Sequence, residues 1–440
     1  MNNNDRLSSL PETWCEYHLG DLCKSIGGGT PSRNRSSFWN GDVPWASVKD
    51  FTDNQVFLKT TCETITNEGL QSSASNLVPE NTPVICTRMA VGRCALTTRP
   101  TAINQDLKAL LFSTEVNRQF FIRLLNYNAS ELERVSIGST VRGITLHDLR
   151  NLILHLPSDN MEQQRVAWVL DVVDESIAET EAIVAKLRNI RAGLLHDLLT
   201  YGLDEYGQLR DPIVHPEQFK DSPLGRIPVG WSFSKFDVVL TDIEAGKSPD
   251  YPDYPAPSGE WGVLKVSAIW PDGFRAIENK WVRRRVHQNG AFEVKNGDLL
   301  ISRSNTYSLV GLVCIVSDAP PHLMLSDKTL RLCLNPERGL NPFFALLLQS
   351  RAVRSQIELN ATGTSGSMKN ISQELIRNLG LAYPEVEEQR RILSLTSTIE
   401  NEQAALFSQL TKLQHLKSGL MSDLLTGRVR VPESIEVRSP

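Results

Sequence analysis

Apolar residues recur along residues 160–200 in alternating steps of four and three. The series is Val166, Leu170, Val173, Ile177, Thr180, Val184, Leu187, Arg191, Leu194 and Leu198, eight of the ten apolar. Adding 226 to each number gives Ile392, Thr396, Ile399, Gln403, Leu406, Leu410, Leu413, Lys417, Leu420 and Leu424. Spacing that averages three and a half residues over more than four heptads is a coiled-coil seam. It predicts two helices of roughly 60 Å each at 1.5 Å per residue. A helix of that length with one apolar stripe needs a partner, so the two are expected to pack on each other. The match is more than periodic. GLLHDLLT, Gly193 to Thr200, returns as GLMSDLLT, Gly419 to Thr426. Lys186-Leu187 returns as Lys412-Leu413, Glu162-Gln163 as Glu388-Gln389 and Arg165 as Arg391. Asp159 suits an N-cap, with Glu162 at the capping-box position; the second helix follows Pro384.

The blocks before the helices repeat more loosely. Trp14 of LPETW pairs with Trp231 of IPVGW, and Val84–Arg88 (VICTR) with Leu299–Arg303 (LLISR). Phe120-Phe121 pairs with Phe343-Phe344, and Gly143–Leu152 with Asn370–Leu379. TPVICT, DLLISR and GLVCIV are short apolar runs between turn residues and read as strands. NRQFFIRLLN and NPFFALLLQS read as helices. The fold class expected is α+β: two similar mixed domains, each followed by a long helix. The segments are 1–157 (first domain), 158–210 (first long helix and linker), 211–383 (second domain), 384–427 (second long helix) and a tail, 428–440.

The formal net charge is −5, and its placement matters more than its sum. Residues 156–210 hold 5 basic and 10 acidic side chains, whereas residues 1–155 hold 15 of each. The acidity therefore lies in the connecting helix, and each block is free to carry a local basic face. No run of 18 apolar residues occurs, so no membrane span is expected. The start, MNNNDRLSSLPETW, has no basic and apolar leader pattern. Seven scattered cysteines without a CxxC pair fit a reducing, cytoplasmic setting and argue against a structural metal.

Three strings imitate chemistry. Gly246-Lys247-Ser248 lacks the earlier glycine of a phosphate-binding loop, since that position is Thr241. In the repeat, Ile243–Gly246 faces Ile26–Gly29. Asn341-Pro342-Phe343-Phe344 is similar to the Asn-Pro-Pro-Phe loop of adenine amino-methyltransferases, but the second proline and a Gly-rich cofactor strand are missing. It reads as a helix start with proline in the first turn. GGGTPS is a Gly-rich loop, followed by Arg33-Asn34-Arg35-Ser36-Ser37-Phe38-Trp39, a composition suited to phosphate and base-edge contact. No nucleophile–base set can be assembled.

LPETW with LGDL, GGGTPS, FWNGDVPWASVKDF, Asn104-Gln105-Asp106-Leu107, GSTVRGIT and the EQQR opening of the first helix resemble specificity subunits of type I restriction–modification systems. The resemblance runs through both repeats. It implies that each block is a target recognition domain reading one half of a two-part, asymmetric double-stranded DNA sequence. It implies that the long helices pack antiparallel as a spacer. It further implies docking of two modification subunits, which bind S-adenosylmethionine and methylate adenine at N6, and of two restriction subunits that use ATP and Mg. This chain would bind no cofactor or metal and catalyse nothing. Block two departs from the pattern: GKSPDY replaces the triple glycine, GVLKVSAI faces PWASVKDF, and GTSGSMKNIS faces GSTVRGIT.

Reading residues are expected in loops and at strand ends, many paired across the repeat. In block one they are Arg33, Arg35, Lys49, Arg88, Arg93, Ser139, Thr140 and Arg142. In block two they are Lys247, Ser248, Lys265, Arg303, Ser304, Asn305, Ser367, Lys369 and Asn370. Arginine can grip guanine and asparagine adenine, each through two hydrogen bonds. Arg283-Arg284-Arg285 reads as a solvated edge rather than a reading element. Partner contacts are expected from outward helix positions, Glu162, Gln163, Arg165, Glu388, Gln389 and Arg391. Rival readings are a coiled-coil scaffold, a methyltransferase in its own right, and a DNA reader of another defence assembly.

Overall fold

The computed structural model describes residues 11–136, 143–363 and 368–437. Contacts divide the chain into two units, Met1–Ala182 with Phe407–Pro440, and Ile183–Leu406. The divide falls inside both long helices. Each unit thus contains one block, the start of the helix that follows it, and the far half of the other helix.

In the first unit Trp14–His18 pairs antiparallel with Ile153–Pro157, Trp14 opposite Pro157, which ties the block's entry to its exit. The central sheet runs in the order Cys23–Gly27, Leu107–Phe112, Pro83–Cys86, Cys94–Thr97, with Phe57–Leu58 at the edge. The strand Pro83–Cys86 is buried at every position, as its unbroken apolar run requires. A second sheet orders Glu63–Ile65, Trp39–Ala46, Thr101–Ile103 and Asn76–Val78. Trp39–Ala46 and Thr101–Ile103 run parallel.

The second unit is built alike. Ser232–Lys235 pairs with Gly380–Tyr383. Its central sheet runs Leu240–Ala245, Thr329–Leu334, Leu299–Ser302, Val313–Ile315. The smaller sheet orders Asn279–Trp281, Gly262–Leu264 and Leu323–Met324, the last two parallel. Register fixes the repeat: Ile26 lies opposite Ala109, and Ile243 opposite Leu332. Gly29 N–H donates to Ile103 O and Gly246 N–H to Ser326 O, each at 3.1 Å. The loop that imitates a phosphate-binding motif is therefore the counterpart of the triple-glycine turn. Phe120, Phe121, Phe343 and Phe344 are fully buried at matching places in the two cores.

The long helices are Asn160–Thr200 and Val386–Leu424. Asp159 caps the first, accepting from Met161 N at 2.9 Å and Glu162 N at 3.2 Å. All twenty seam positions are buried or half-buried. Four of the five polar ones have identified partners. Thr180 Oγ1 donates to Ser176 O (2.7 Å) and Thr396 Oγ1 to Leu393 O (3.0 Å), each on its own helix. Lys417 pairs with Asp174 at 2.7 Å in the first unit, and Arg191 pairs with Glu400 in the second. The two ion pairs are one pair written twice at the 226-residue offset. In the first unit Glu162 meets Arg430 while Asp174 meets Lys417, so numbers fall on one segment as they rise on the other. The packing is antiparallel. In the second unit Arg191 meets Glu400 while Leu203 meets Glu388, the same sense.

Candidate functional site

The reading candidates of block one fall into three places. Arg88 lies in the turn after Pro83–Cys86, 3.7 Å from Asp106 and 60% exposed. Its backbone bridges to Gly143, and Ile144 N–H donates to Thr87 O at 2.9 Å. Thr30 Oγ1 donates to Gln105 Oε1 at 2.5 Å. The GGGT turn, the Asn104–Asp106 turn, Arg88 and the entry to Gly143 thus form one loop cluster. Arg33 stands in a second place, paired with Glu63 and stacked on Trp39 at 3.8 Å. Those hydrogen bonds raise the Arg33 pKa and hold the Glu63 carboxyl below its ordinary value. Lys49 is exposed and its charge acts on the same Glu63. Arg35 lies over Phe38 at 5.4 Å. Arg93 stands apart, clipped to Asp53 through Nε at 2.7 Å and Nη2 at 3.3 Å. It holds two loops together, and its fork is already used. Ser139, Thr140 and Arg142 lie outside the described residues.

In block two most candidates converge. Arg303 N–H donates to Lys328 O (2.8 Å), and Ile371 N–H donates to Arg303 O (3.0 Å). Ser304 faces Asn370 and Asn305 faces Lys369 in a short antiparallel pair, where the Ser304 hydroxyl bonds the Asn370 side chain. Lys369 Nζ donates to Gly363 O at 2.7 Å. Ser248 bonds Asp327 beside the exposed Lys247. Ser367 lies outside the described residues. Lys265 is the exception: its ammonium sits 2.8 Å from Glu278 and 3.1 Å from Asp253. The hydrogen bond to Glu278, then that to Asp253, raises its pKa. Two carboxylates already neutralise it.

The helix-start residues are not where the sequence put them. Five of the six expected to face outward are buried: Glu162 2%, Gln163 2%, Arg165 8%, Glu388 8% and Gln389 0% exposed, with Arg391 half-buried. They lock each unit shut. Glu388 accepts from Trp231 Nε1 (3.0 Å), Leu203 N (2.8 Å) and both Arg210 Nη atoms (2.8 and 3.2 Å). Glu162 accepts from Trp14 Nε1 (3.3 Å) and from Arg430 Nε and Nη2 (3.1 and 2.8 Å). It does not reach back to close a capping box, because a tryptophan and an arginine claim its oxygens. Gln389 accepts from Leu340 N (3.0 Å) and donates to Pro384 O (2.9 Å). Gln163 accepts from Asn117 N (2.9 Å) and donates to Pro157 O (2.8 Å). Arg391 Nη1 donates to Asp204 O and Glu205 O, both 3.1 Å, and Arg165 sits 3.6 Å from Asp159.

The chain leaves each long helix through a glycine at positive φ, Gly202 (+64°) and Gly427 (+72°). A Cβ on Gly202 would lie 2.3 Å from Glu388 Oε1, and one on Gly427 3.1 Å from the Trp14 ring. The end of one helix thus folds onto the start of the other in both units. Sequence reading paired the two tryptophans but missed Arg210 and Arg430. Arg210 follows its glycine by eight residues and Arg430 by three, so no fixed offset links them.

Among the described residues no cluster of metal-ligating side chains occurs, and no helix is long and apolar enough to cross a membrane. The family model for the type I restriction modification DNA specificity domain matches residues 11–189 and again 236–415. The EcoEI specificity subunit of Escherichia coli is 29% identical over 196 residues, 44% of this chain and 32% of that one. The EcoR124I/EcoR124II specificity subunit of Escherichia coli is 32% identical over 206 residues, 44% of this chain and 50% of that one. The chain spans a third to a half of those two relatives. The MjaIX specificity subunit of Methanocaldococcus jannaschii aligns over 97% of this chain and 96% of its own, at 21% identity. The fold matches the crystal structure of the S subunit from M. genitalium, with TM-score 0.54, 16% identity, and 96% and 97% of the two chains covered. It also matches a chain from a study of type I system assembly, with TM-score 0.60, 16% identity, and 96% and 99% covered. Two copies of the domain, each carried on the same two-sheet block and long helix, place this chain in the type I restriction–modification DNA specificity family.

Proposed function

We propose that the chain is the non-catalytic sequence reader of a type I restriction–modification complex, each block recognising one half of an asymmetric two-part DNA target. One observation carries the reading. The central strands of both sheets repeat in the same order, while the loop residues at their turns differ: Arg88 with Asp106 in one block, Arg303, Ser304 and Asn370 in the other. A homodimer would impose identical half-sites on DNA. Two copies in one chain can keep one frame and read different bases. Arg88, and Ser304 with Asn305 and Asn370, stand first as base readers. Arg93 and Lys265 position loops instead.

The modification subunits dock on the outer faces of the long helices, since the helix starts are used internally. Val172, Ile183, Ile190, Leu395 and Leu416 are 41–53% exposed there and offer the apolar contact such docking needs. S-adenosylmethionine, ATP and Mg belong to those partners and to the restriction subunits, in the cytoplasm.

The test is a genome-wide map of N6-methyladenine in the source organism with and without the gene. Loss of methylation from one asymmetric two-part motif is the expected result, and exchange of residues 1–157 should change one half of it. An unchanged map would move the scaffold reading ahead.

A further inference from the structure

We infer that Arg283, Arg284 and Arg285 form a DNA-phosphate ridge that the second block has and the first lacks, so that the two half-sites are held with unequal electrostatic grip. The inference rests on the DNA-reading function proposed above.

All three arginines are exposed, and among the described residues none of their guanidiniums forms an ion pair. Elsewhere in this block Arg275, Arg331, Arg354 and Arg377 each pair with a carboxylate, whereas here three consecutive guanidiniums are left without one. The stretch Asn279–Asn289 contains Lys280, the three arginines and His287, with no acid. The nearest acids along the chain are engaged. Glu278 pairs with Lys265, and Glu293 receives His322 N–H at 2.6 Å.

The loop is braced rather than loose. Arg283 lies over the Trp281 ring at 4.5 Å and the Tyr254 ring at 5.3 Å. Tyr251 Oη sits 2.8 Å from His287 Nδ1 and accepts from Arg284 N at 3.2 Å. Trp281 N–H donates to Tyr254 O at 3.2 Å. Seating Arg283 on a fixed aromatic base and pinning the Arg284 backbone lowers the ordering entropy lost on binding, and a guanidinium fork suits phosphate oxygens.

Position ties the ridge to the reading loops. The segment that begins at Lys247 and Ser248 ends at Tyr254 and carries Tyr251, so the same eight residues run from the loop cluster to the base of the ridge. The counterpart in block one shows the difference. Strand Glu63–Ile65 takes the place of Asn279–Trp281 at the edge of the matching sheet. It is followed by the Thr66-capped helix Asn67–Gln71, which contains Glu68 and no cation. A spread of positive charge with no ion-paired carboxylate fits a polyanion of regular spacing better than a protein surface, whose charges alternate.

The experiment measures affinity of the purified complex for a random-sequence DNA duplex of about 40 base pairs as salt is varied. Phosphate contacts act on any sequence, so the target need not be known. Each lost contact should make the log–log salt slope shallower by about 0.9. For R283A/R284A/R285A, that means wild type loses about 40-fold more affinity than the variant between 50 and 200 mM salt. Because Arg283 covers Trp281, the double variant R284A/R285A is the safeguard against misfolding. It should shift the slope by about two-thirds as much with unchanged thermal unfolding. Wild-type binding with unchanged slopes in both variants overturns the ridge and leaves the reading function intact. Failure of wild type to bind any duplex overturns the reading function itself. Slopes unchanged but modification-subunit capture lost would give the surface to an acidic protein, which also overturns the proposal.

Discussion

The two helix-start glutamates offer a controlled comparison, because the same residue makes the same kind of lock in different surroundings. Replace each by alanine. At Glu388 the loss strands Arg210, whose side chain is only 14% exposed, together with the Trp231 and Leu203 N–H groups. Removing one partner of a buried ion pair costs roughly 3–5 kcal/mol, and orphaned buried donors add to that without being additive. At Glu162 the partner Arg430 is 48% exposed and rehydrates, so only the Trp14 N–H is left wanting. That loss costs about 1–2 kcal/mol. Glu388→Ala should therefore exceed Glu162→Ala by about 2–3 kcal/mol. For a unit of some two hundred residues this separates the melting temperatures by about 4–12 °C. Calorimetry on the full chain reads the shift, and hydrogen exchange assigns it to the unit holding Ile183–Leu406. Equal losses, or the larger loss at Glu162, would refute the claim that exposure of the arginine sets the strength of the lock.

Other consequences are read more briefly. Arg123 is 3% exposed and holds Asp171 and, at 2.6 Å, Asp174. Arg123→Leu alone should cost about 3 kcal/mol, and adding Asp171→Ser should recover part of it, a coupling that a double-mutant cycle in urea measures. Gly193 and Gly419 are helical with open space at Cβ, so each alanine variant should stabilise by roughly 0.8 kcal/mol. Gly202→Ala meets positive φ and the Glu388 carboxylate, and should destabilise in the same assay. Alkylation of the native chain should reach the exposed Cys15 first. Cys62 should follow slowly, since a hydrogen bond to Asp50 keeps its thiol protonated. Cys23, Cys86 and Cys314, pushed up to about 12 by burial, and the fully buried Cys94 should react only on unfolding.

The long helices were legible because their seam repeats locally; eight of ten positions in the first and seven of ten in the second are apolar and mark the same face. Strands such as Pro83–Cys86 and Leu299–Ser302 were legible because both faces are covered and their apolar runs are unbroken. What the sequence misled on were polar residues whose partners are distant. Glu162 and Arg430 are 268 residues apart, Glu388 and Arg210 178. A charged pair at a helix start looks like a surface cap when its partner cannot be seen, and no pattern of period two or three and a half encodes it. Arg93 and Lys265, expected as readers, likewise pair with acids that the sequence could not place beside them, Asp53, Asp253 and Glu278. Arg283–Arg285 read as a solvated edge and all three are exposed; what no local pattern shows is the Trp281 and Tyr254 rings beneath Arg283.

The repeat also shows how a duplicated frame diverges without losing its core. Position 123 of the first unit corresponds to Leu346 of the second, Asp171 to Ser397, Asp174 to Glu400 and Lys417 to Arg191. In the first unit these residues form a closed network, Arg123 to both aspartates and Lys417 to Asp174. In the second only the Arg191–Glu400 pair survives. Leu346, Ser397, Arg191 and Glu400 instead line a groove of about 640 Å³ with Leu393 and Gln349. Where the first unit has a buried guanidinium and a carboxylate, the second has a leucine and a serine. Exchange of either alone would leave a buried charge unpaired, which is the expensive intermediate. Arg191 sits at a seam position, as Lys417 does in the first unit, and a carboxylate one residue past the opposite seam position neutralises each charge. The seam and the helix-start lock are therefore common to both copies, whereas the loops and the packing between block and helix differ.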